Sequence, residues 1–132
     1  MEKDGVSVIS VLVVDDEPEI LEATCFSMKM TGYEVHGAAN GVEAVQRIQQ
    51  HGPKVILMDY KLPDMTGLGL IQTAKAESPD SICIVISGLV AGVDEVEGAC
   101  RRAGASAFLH KPLQISEVKK AIEEALNGRK KD

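Results

Sequence analysis

An alternation constrains this chain more than any other feature of its sequence. Short apolar runs recur at Ser10–Val14 (SVLVV), Glu34–Ala39 (EVHGAA), Val55–Met58 (VILM), Ile82–Ile86 (ICIVI) and Ala107–His110 (AFLH), each of strand length. Between and after them, apolar residues return at helical spacing: Leu21, Cys25 and Met28; Val42, Val45 and Ile48; Leu68 and Ile71; Val93, Val96 and Cys100; Val118, Ile122 and Ala125. Near-continuous apolar strands, each followed by a helix, suit a parallel sheet covered on both faces. The spacing therefore predicts an α/β fold. Punctuation agrees, because Pro18 fits a first helical turn, Asn40 and Ser116 fit N-caps, and Gly32, Gly52 and Gly104 fit helix ends.

With 132 residues, 45% of them hydrophobic, the chain can bury one core but not two, so residues 1–132 read as one domain with a core over about 8–127. The polar tail NGRKKD, Asn127 to Asp132, is expected to fray. Lys and Arg number 14 against 20 Asp and Glu, a net charge of -6. That balance opposes non-specific binding to DNA or to an anionic membrane, and suits a cation site. No apolar run reaches the roughly 18 residues of a membrane span, and MEKDGVSV lacks a secretory pattern, so a cytoplasmic location is expected. Cys25, Cys83 and Cys100 form no CxxC pair and read as reduced structural thiols.

The polar residues that interrupt the apolar runs share one position. Asp15 and Asp16 end the first strand, Asp59 the third, Ser87 the fourth and Lys111 the fifth, all at carboxyl ends. In an open α/β sheet that edge binds ligands, above all where strand order reverses. With the order 2-1-3-4-5, Asp15, Asp16 and Asp59 converge across the reversal. Three carboxylates in one crevice repel one another and need a positive partner. Mg²⁺ suits them, since it takes oxygen ligands and keeps several waters. Lys111 adds an ammonium and Ser87 a hydroxyl donor, a set able to stabilise charge on a transferring phosphoryl group, with Asp59 as its natural acceptor.

These residues resemble the receiver domains of two-component response regulators, in VVDDEP (Val13–Pro18), ILMDYKLPDMTGL (Ile56–Leu68), VISG (Val85–Gly88) and GASAFLHKPL (Gly104–Leu113). The likeness runs from about Val8 to Asn127. It implies a flavodoxin-like (βα)5 three-layer sandwich of order 2-1-3-4-5. It also implies phosphorylation of Asp59 by a sensor histidine kinase or histidine phosphotransfer protein, with Mg²⁺ held by Asp16, Asp59 and the backbone carbonyl of Lys61, and by Asp15 largely through water. Ser87 and Lys111 would contact phosphoryl oxygens, and Ser87 and Phe108 would act as switch residues. A cis peptide is implied between Lys111 and Pro112. Lys61 and Leu89, two residues beyond Asp59 and Ser87, would flank the path of a hydrolytic water. The segment from Ser87 to Gly104 is longer than the family's pattern, and within it Gly88, Gly92 and Gly98, with the modest apolar Val93, Val96 and Cys100, mark Gly88–Ala103 as a mobile, phosphate-responsive element.

Other readings are distinguishable. Asp15 and Asp16 alone would pass as acids favoured at a helix start, but not in register with Asp59, Ser87 and Lys111. Haloacid-dehalogenase-type phosphatases place a general acid two residues after their nucleophilic Asp; here that position is Lys61, so turnover chemistry of that type is not expected. A phosphate-independent interaction module would not need all five site residues. His36, His51 and His110 share no metal-ligand spacing. Nothing after Asn127 resembles a DNA-binding or catalytic output segment, so a protein contact, of unknown identity, is the expected output. A piece of a larger regulator or hybrid kinase is the alternative.

Overall fold

Alternation in the sequence becomes alternation in space. The computed structural model describes residues 2–3 and 6–131. Five strands, β1 (Ser10–Val14), β2 (Glu34–Ala38), β3 (Val55–Asp59), β4 (Ile82–Ser87) and β5 (Ala105–His110), form one sheet in the order β2-β1-β3-β4-β5. Every neighbouring pair is parallel. Helices α1 (Pro18–Thr31), α2 (Gly41–His51), α3 (Gly67–Glu77), α4 (Val93–Ala103) and α5 (Ile115–Lys131) make the connections and the C-terminal cover. Glu2–Lys3 and Val6–Ser7 pair antiparallel as a separate ladder that the sequence reading did not anticipate.

Side chains on a strand alternate between faces, so each strand feeds two cores. Leu12, Val14, Ile56, Met58, Cys83 and Val85 face one layer, where Ala44, Ile48, Leu70, Ile71, Ala74 and Cys100 from α2, α3 and α4 cover them. Val11, Val13, Val55, Leu57, Ile82 and Ile84 face the other, beneath Met28 of α1 and Val118 and Ile122 of α5. This is the flavodoxin-like three-layer sandwich. Burying each large aliphatic side chain contributes about 1.5–3 kcal/mol, and the central strands carry most of them.

Several local expectations change. The near-continuous burial holds for β1, β3 and β4, while β2 and β5 are edge strands and only partly covered. Val42 is 56% exposed, because α2 starts at Gly41 and turns Gly41, Ala44 and Ile48 inward. Ser116 lies inside α5, whose first turn closes on the Gln114 carbonyl, so it is not the cap. The helix continues to Lys131 in spite of Asn127 and Gly128, so the tail is helical up to the last described residue rather than frayed. Asn40 does cap α2, and Gly32, Gly52 and Gly104 end helices at positive φ, where glycine has no Cβ penalty. Cys25, Cys83 and Cys100 are not joined in disulfides. No helix among the described residues is long and apolar enough to cross a membrane.

Candidate functional site

Where the buried strands leave the sheet, polar side chains replace apolar ones. Asp59 and Ser87 are the last residues of β3 and β4, while Asp15, Asp16 and Lys111 follow β1 and β5 directly. The β1–β3 neighbourhood brings a carboxylate oxygen from each of Asp15, Asp16 and Asp59 within 4.8 Å of the others. Asp15 and Asp59 are buried and Asp16 is exposed. The Asp15 carboxylate accepts the Glu17 N–H at 2.9 Å, which fixes it at the mouth of α1.

Asp59 is held on both oxygens. Oδ2 accepts Lys111 Nζ at 2.8 Å and Oδ1 accepts the Lys61 N–H at 3.2 Å. Ser87 Oγ accepts the Leu89 N–H at 3.0 Å, which leaves its own proton to donate elsewhere. The Lys111 N–H extends the β4–β5 ladder to the Ser87 carbonyl at 2.9 Å, and the Lys111–Pro112 peptide is cis. Asp16, Asp59, Lys61, Ser87, Leu89 and Lys111 surround an open cavity of about 300 Å³. A larger groove of about 770 Å³ runs beside it between α1 and α5, walled by Val13, Ile20, Ile86 and Leu113 and reaching Asp15, Asp59 and Lys111. The smaller cavity holds the polar groups that chemistry needs. Phe108 is buried, packed against the layer beneath α4, with its ring edge-on to His110 at 5.7 Å between centroids.

Electrostatics show what the cluster lacks. Burial, and then the Asp59 charge, push the Asp15 carboxyl above the usual carboxylate range, against the pull of the Glu17 N–H and Lys111. Burial lowers the affinity of the Lys111 ammonium for its proton, but the hydrogen bond and charge of Asp59, with Asp15 and Glu17 behind it, raise the net pKa. One ammonium therefore serves several carboxylates. The donor set is all oxygen and over-supplied with negative charge, which fits a small hard divalent cation. Among the described residues this is the one group of three or more His, Cys, Asp or Glu able to hold a metal, and no histidine joins it.

The raised Asp15 pKa carries a sign. A carboxyl that binds its proton more tightly folded than unfolded loses stability as pH rises through its folded pKa, and the whole penalty is present at neutral pH. Asp15→Asn, which keeps an acceptor for the Glu17 N–H, is expected to raise stability at pH 7 in metal-free buffer. Saturating Mg²⁺ should erase or reverse that gain. Thermal melts with and without Mg²⁺ check this, and a variant less stable than the parent in metal-free buffer would contradict it.

Three features escaped the sequence reading. Asp64, in the loop after β3, accepts the Gly41 and Val42 N–H groups of α2 at 2.8 and 2.9 Å. Glu17 adds its charge to the field at Lys111. His36 and His51 stack with centroids 4.1 Å apart and planes 8° apart, a strand-to-helix adjacency without local sequence signal. Parallel rings aim their lone pairs side by side, which does not converge on one ion.

Fold and edge together define a class: a doubly wound α/β domain with an acidic site at its topological reversal. The sequence pattern of the response regulator receiver domain matches residues 11–123. The chain is 31% identical over 110 residues to the probable transcriptional regulatory protein TcrX of Mycobacterium tuberculosis, covering 83% of this chain and 46% of that protein. It is 32% identical over 116 residues to the transcriptional regulatory protein KdpE of the same species, covering 88% of this chain and 50% of that one. A crystal structure of a CheY-like response regulator receiver domain protein from Methanospirillum hungatei JF-1 superposes with a TM-score of 0.85 at 32% identity, covering 95% of this chain and 98% of that one. The chain belongs to the response regulator receiver domain family. It spans about half the length of these two curated relatives.

Proposed function

We propose that residues 8–127 work as one receiver unit that accepts a phosphoryl group on Asp59 and uses it to change a protein-binding surface. The observation that carries this reading is the buried Asp59 carboxylate, bonded to Lys111 at 2.8 Å within a cluster of three acids. A histidine kinase or phosphotransfer protein is the donor: an Asp59 oxygen attacks phosphorus, an acyl phosphate forms, the P–N bond of the phosphohistidine breaks, and the leaving imidazole takes up a proton. Lys111 and the Ser87 hydroxyl bind the phosphoryl oxygens, and the Lys61 N–H holds Asp59 in line. Asp16, Asp59 and the Lys61 carbonyl would hold Mg²⁺, with Asp15 acting through water, and the ion would supply charge neutralisation. On α1, which starts beside the site, Ile20 and Phe26 are exposed apolar side chains available to the donor. The chemistry consumes one phosphoryl group per event, so the unit is a signalling domain rather than a turnover enzyme.

The responsive element of this reading is Gly88–Ala103, joined to Ser87. Helix α4 follows Gly92, which sits at its N-cap position at φ 71° and offers no side-chain cap, and it buries Cys100 fully while Val93 and Val96 are partly covered. Gly98 within it costs roughly 1 kcal/mol relative to alanine. Low local stability suits an element that must exist in two arrangements. Phe108 already lies inward in this structure, so the expected change concerns α4 and its approach first. Hydrogen exchange tests the switch: amides of Gly88–Ala103 should exchange fast in the free protein and slow with Mg²⁺ and beryllium fluoride. Protection equal to that of Val55–Met58 in both states would make the segment a rigid scaffold and overturn this part of the reading.

Lifetime of the phosphoryl group follows from Leu89, which lines the cavity and offers no hydrogen bond to an attacking water. Leu89→Glu is expected to speed dephosphorylation several-fold, about 1 kcal/mol off the barrier. An unchanged decay of the acid-labile phosphate would remove Leu89 from the water path.

A further inference from the structure

The loop that follows β3 carries the Lys61 backbone, and little of it is buried. Lys61, Pro63, Asp64 and Thr66 are exposed, while Leu62 and Met65 are partly covered. Its local shape is a small hairpin: Lys61 bridges Thr66, the Leu62 N–H reaches the Met65 carbonyl at 3.2 Å, and the Gly67 N–H reaches the Tyr60 carbonyl at 2.6 Å. Such a hairpin can pivot about its base unless its tip is fastened.

The tip is fastened to another element. Asp64 Oδ1 accepts the Gly41 N–H at 2.8 Å and Oδ2 accepts the Val42 N–H at 2.9 Å, a two-oxygen grip on the first two residues of α2. Helix α2 has its own cap as well. The Glu43 N–H donates to Asn40 Oδ1 at 2.8 Å, and Glu43 Oε1 in turn accepts the N–H of Ala39, the residue before the cap, at 3.0 Å, an arrangement close to a capping box. A helix leaves four N–H groups at its start without internal partners, and Asp64 supplies two that the box does not reach. Beside the grip, Met65 lies over Gly41, where an added Cβ would overlap the Met65 side chain. Tip and helix thus meet through charge-assisted hydrogen bonds and a close contact of the Met65 side chain with Gly41.

The two ends of this connection matter for the site. The base of the hairpin is at Asp59 and Lys61, on the β3 side of the acidic cluster. Its tip is tied to α2, which follows β2, the strand paired with β1, at whose end Asp15 and Asp16 stand. The clamp therefore spans the same strand reversal that a cation must bridge.

We propose that Asp64 is a positioning residue that holds the Lys61 carbonyl in place for the metal, so that cation binding and the start of α2 are thermodynamically coupled. This rests on the reading of the site as a Mg²⁺ centre that uses that carbonyl. Mg²⁺ demands near-ideal octahedral placement, so a carbonyl on a pivoting loop is a poorer ligand than one on a fixed loop. Linkage makes the coupling reciprocal: whatever factor the clamp adds to metal affinity, the metal adds to the clamp.

The test measures Mg²⁺ affinity by titration of backbone resonances in the parent, Asp64→Ala, Asp64→Asn and Gly41→Ala, together with amide exchange at Gly41 and Val42 with and without Mg²⁺. Asp64→Ala should weaken Mg²⁺ binding about three- to tenfold, below the ten- to hundredfold seen when a group bonded directly to a ligand is lost. Asp64→Asn, with one carbonyl oxygen left to accept, should fall between. Gly41→Ala should weaken binding from the α2 side by displacing Met65. In the parent, Mg²⁺ should slow exchange at Gly41 and Val42 by a factor similar to the affinity lost in Asp64→Ala. Phosphorylation rates in the variants should return to the parent's at saturating Mg²⁺, a change in the Mg²⁺ requirement without a change in maximal rate. Unchanged affinity in Asp64→Ala while the parent binds Mg²⁺, or amides of Gly41 and Val42 indifferent to the ion, would overturn the coupling alone. A parent that binds no Mg²⁺ would overturn the metal-site reading and the coupling with it.

Discussion

Asp59→Asn is expected to abolish the acid-labile phosphate that the parent gains on incubation with Mg²⁺ and a small phosphodonor such as acetyl phosphate. The substitution is nearly isosteric, and its carbonyl oxygen can still accept from the Lys61 N–H or from Lys111. What it removes is the anionic nucleophile, since an amide does not attack phosphorus. Neither neighbour is placed to substitute. Asp15 is buried and committed to the Glu17 N–H, and Asp16 is exposed at the rim, whereas Lys111 is bonded to Asp59. Loss of one negative charge also relieves Asp15, which offsets part of the cost of weakening the pair between Lys111 and the buried Asp59. Intact-mass measurement under neutral conditions reads the phosphate directly. Undiminished labelling in Asp59→Asn would remove Asp59 from the role of acceptor.

How much of this was legible in the sequence depended on range. Apolar runs of strand length ending in Asp15, Asp59, Ser87 and Lys111 report both the strand and its exit, because burial demands the first and only a ligand edge tolerates the second. The layer order followed from the same alternation. What the sequence hid was tertiary. Val42 reads as part of an apolar stripe until the helix start at Gly41 rotates it outward, and Ser116 reads as a cap until the Gln114 carbonyl closes the first turn of α5. Nothing local marks Asp64 as the partner of Gly41, 23 residues earlier, since either residue alone passes for ordinary turn chemistry. The His36–His51 stack and the inward Phe108 likewise depend on which elements become neighbours. Strand edges were over-read as buried because a parallel pattern predicts cover on both faces and does not say which strands end the sheet.

Asp16→Ala tests the metal independently of the acceptor. The site's negative charge comes from three acids, of which Asp16 is the exposed one, so its removal costs little packing and should leave the melting temperature in metal-free buffer equal to the parent's or higher. Its effect on the ion is of another size. Asp15 cannot swing over to replace it, because its carboxylate is buried and held by the Glu17 N–H at 2.9 Å. The ion would keep Asp59 and a neutral carbonyl, with water in the vacated position and one fewer charge opposite Lys111. Mg²⁺ gives up its hydration shell reluctantly and needs charge as well as geometry in return. Affinity should therefore fall by about tenfold or more, at least about 1.4 kcal/mol. Labelling by acetyl phosphate, at a Mg²⁺ concentration that saturates the parent, should drop to the level of the parent in excess chelator. The two arms check one another: equal labelling of the parent with and without chelator would show that phosphoryl transfer to Asp59 proceeds on Lys111 and Ser87 alone, and the acidic cluster would then need another explanation.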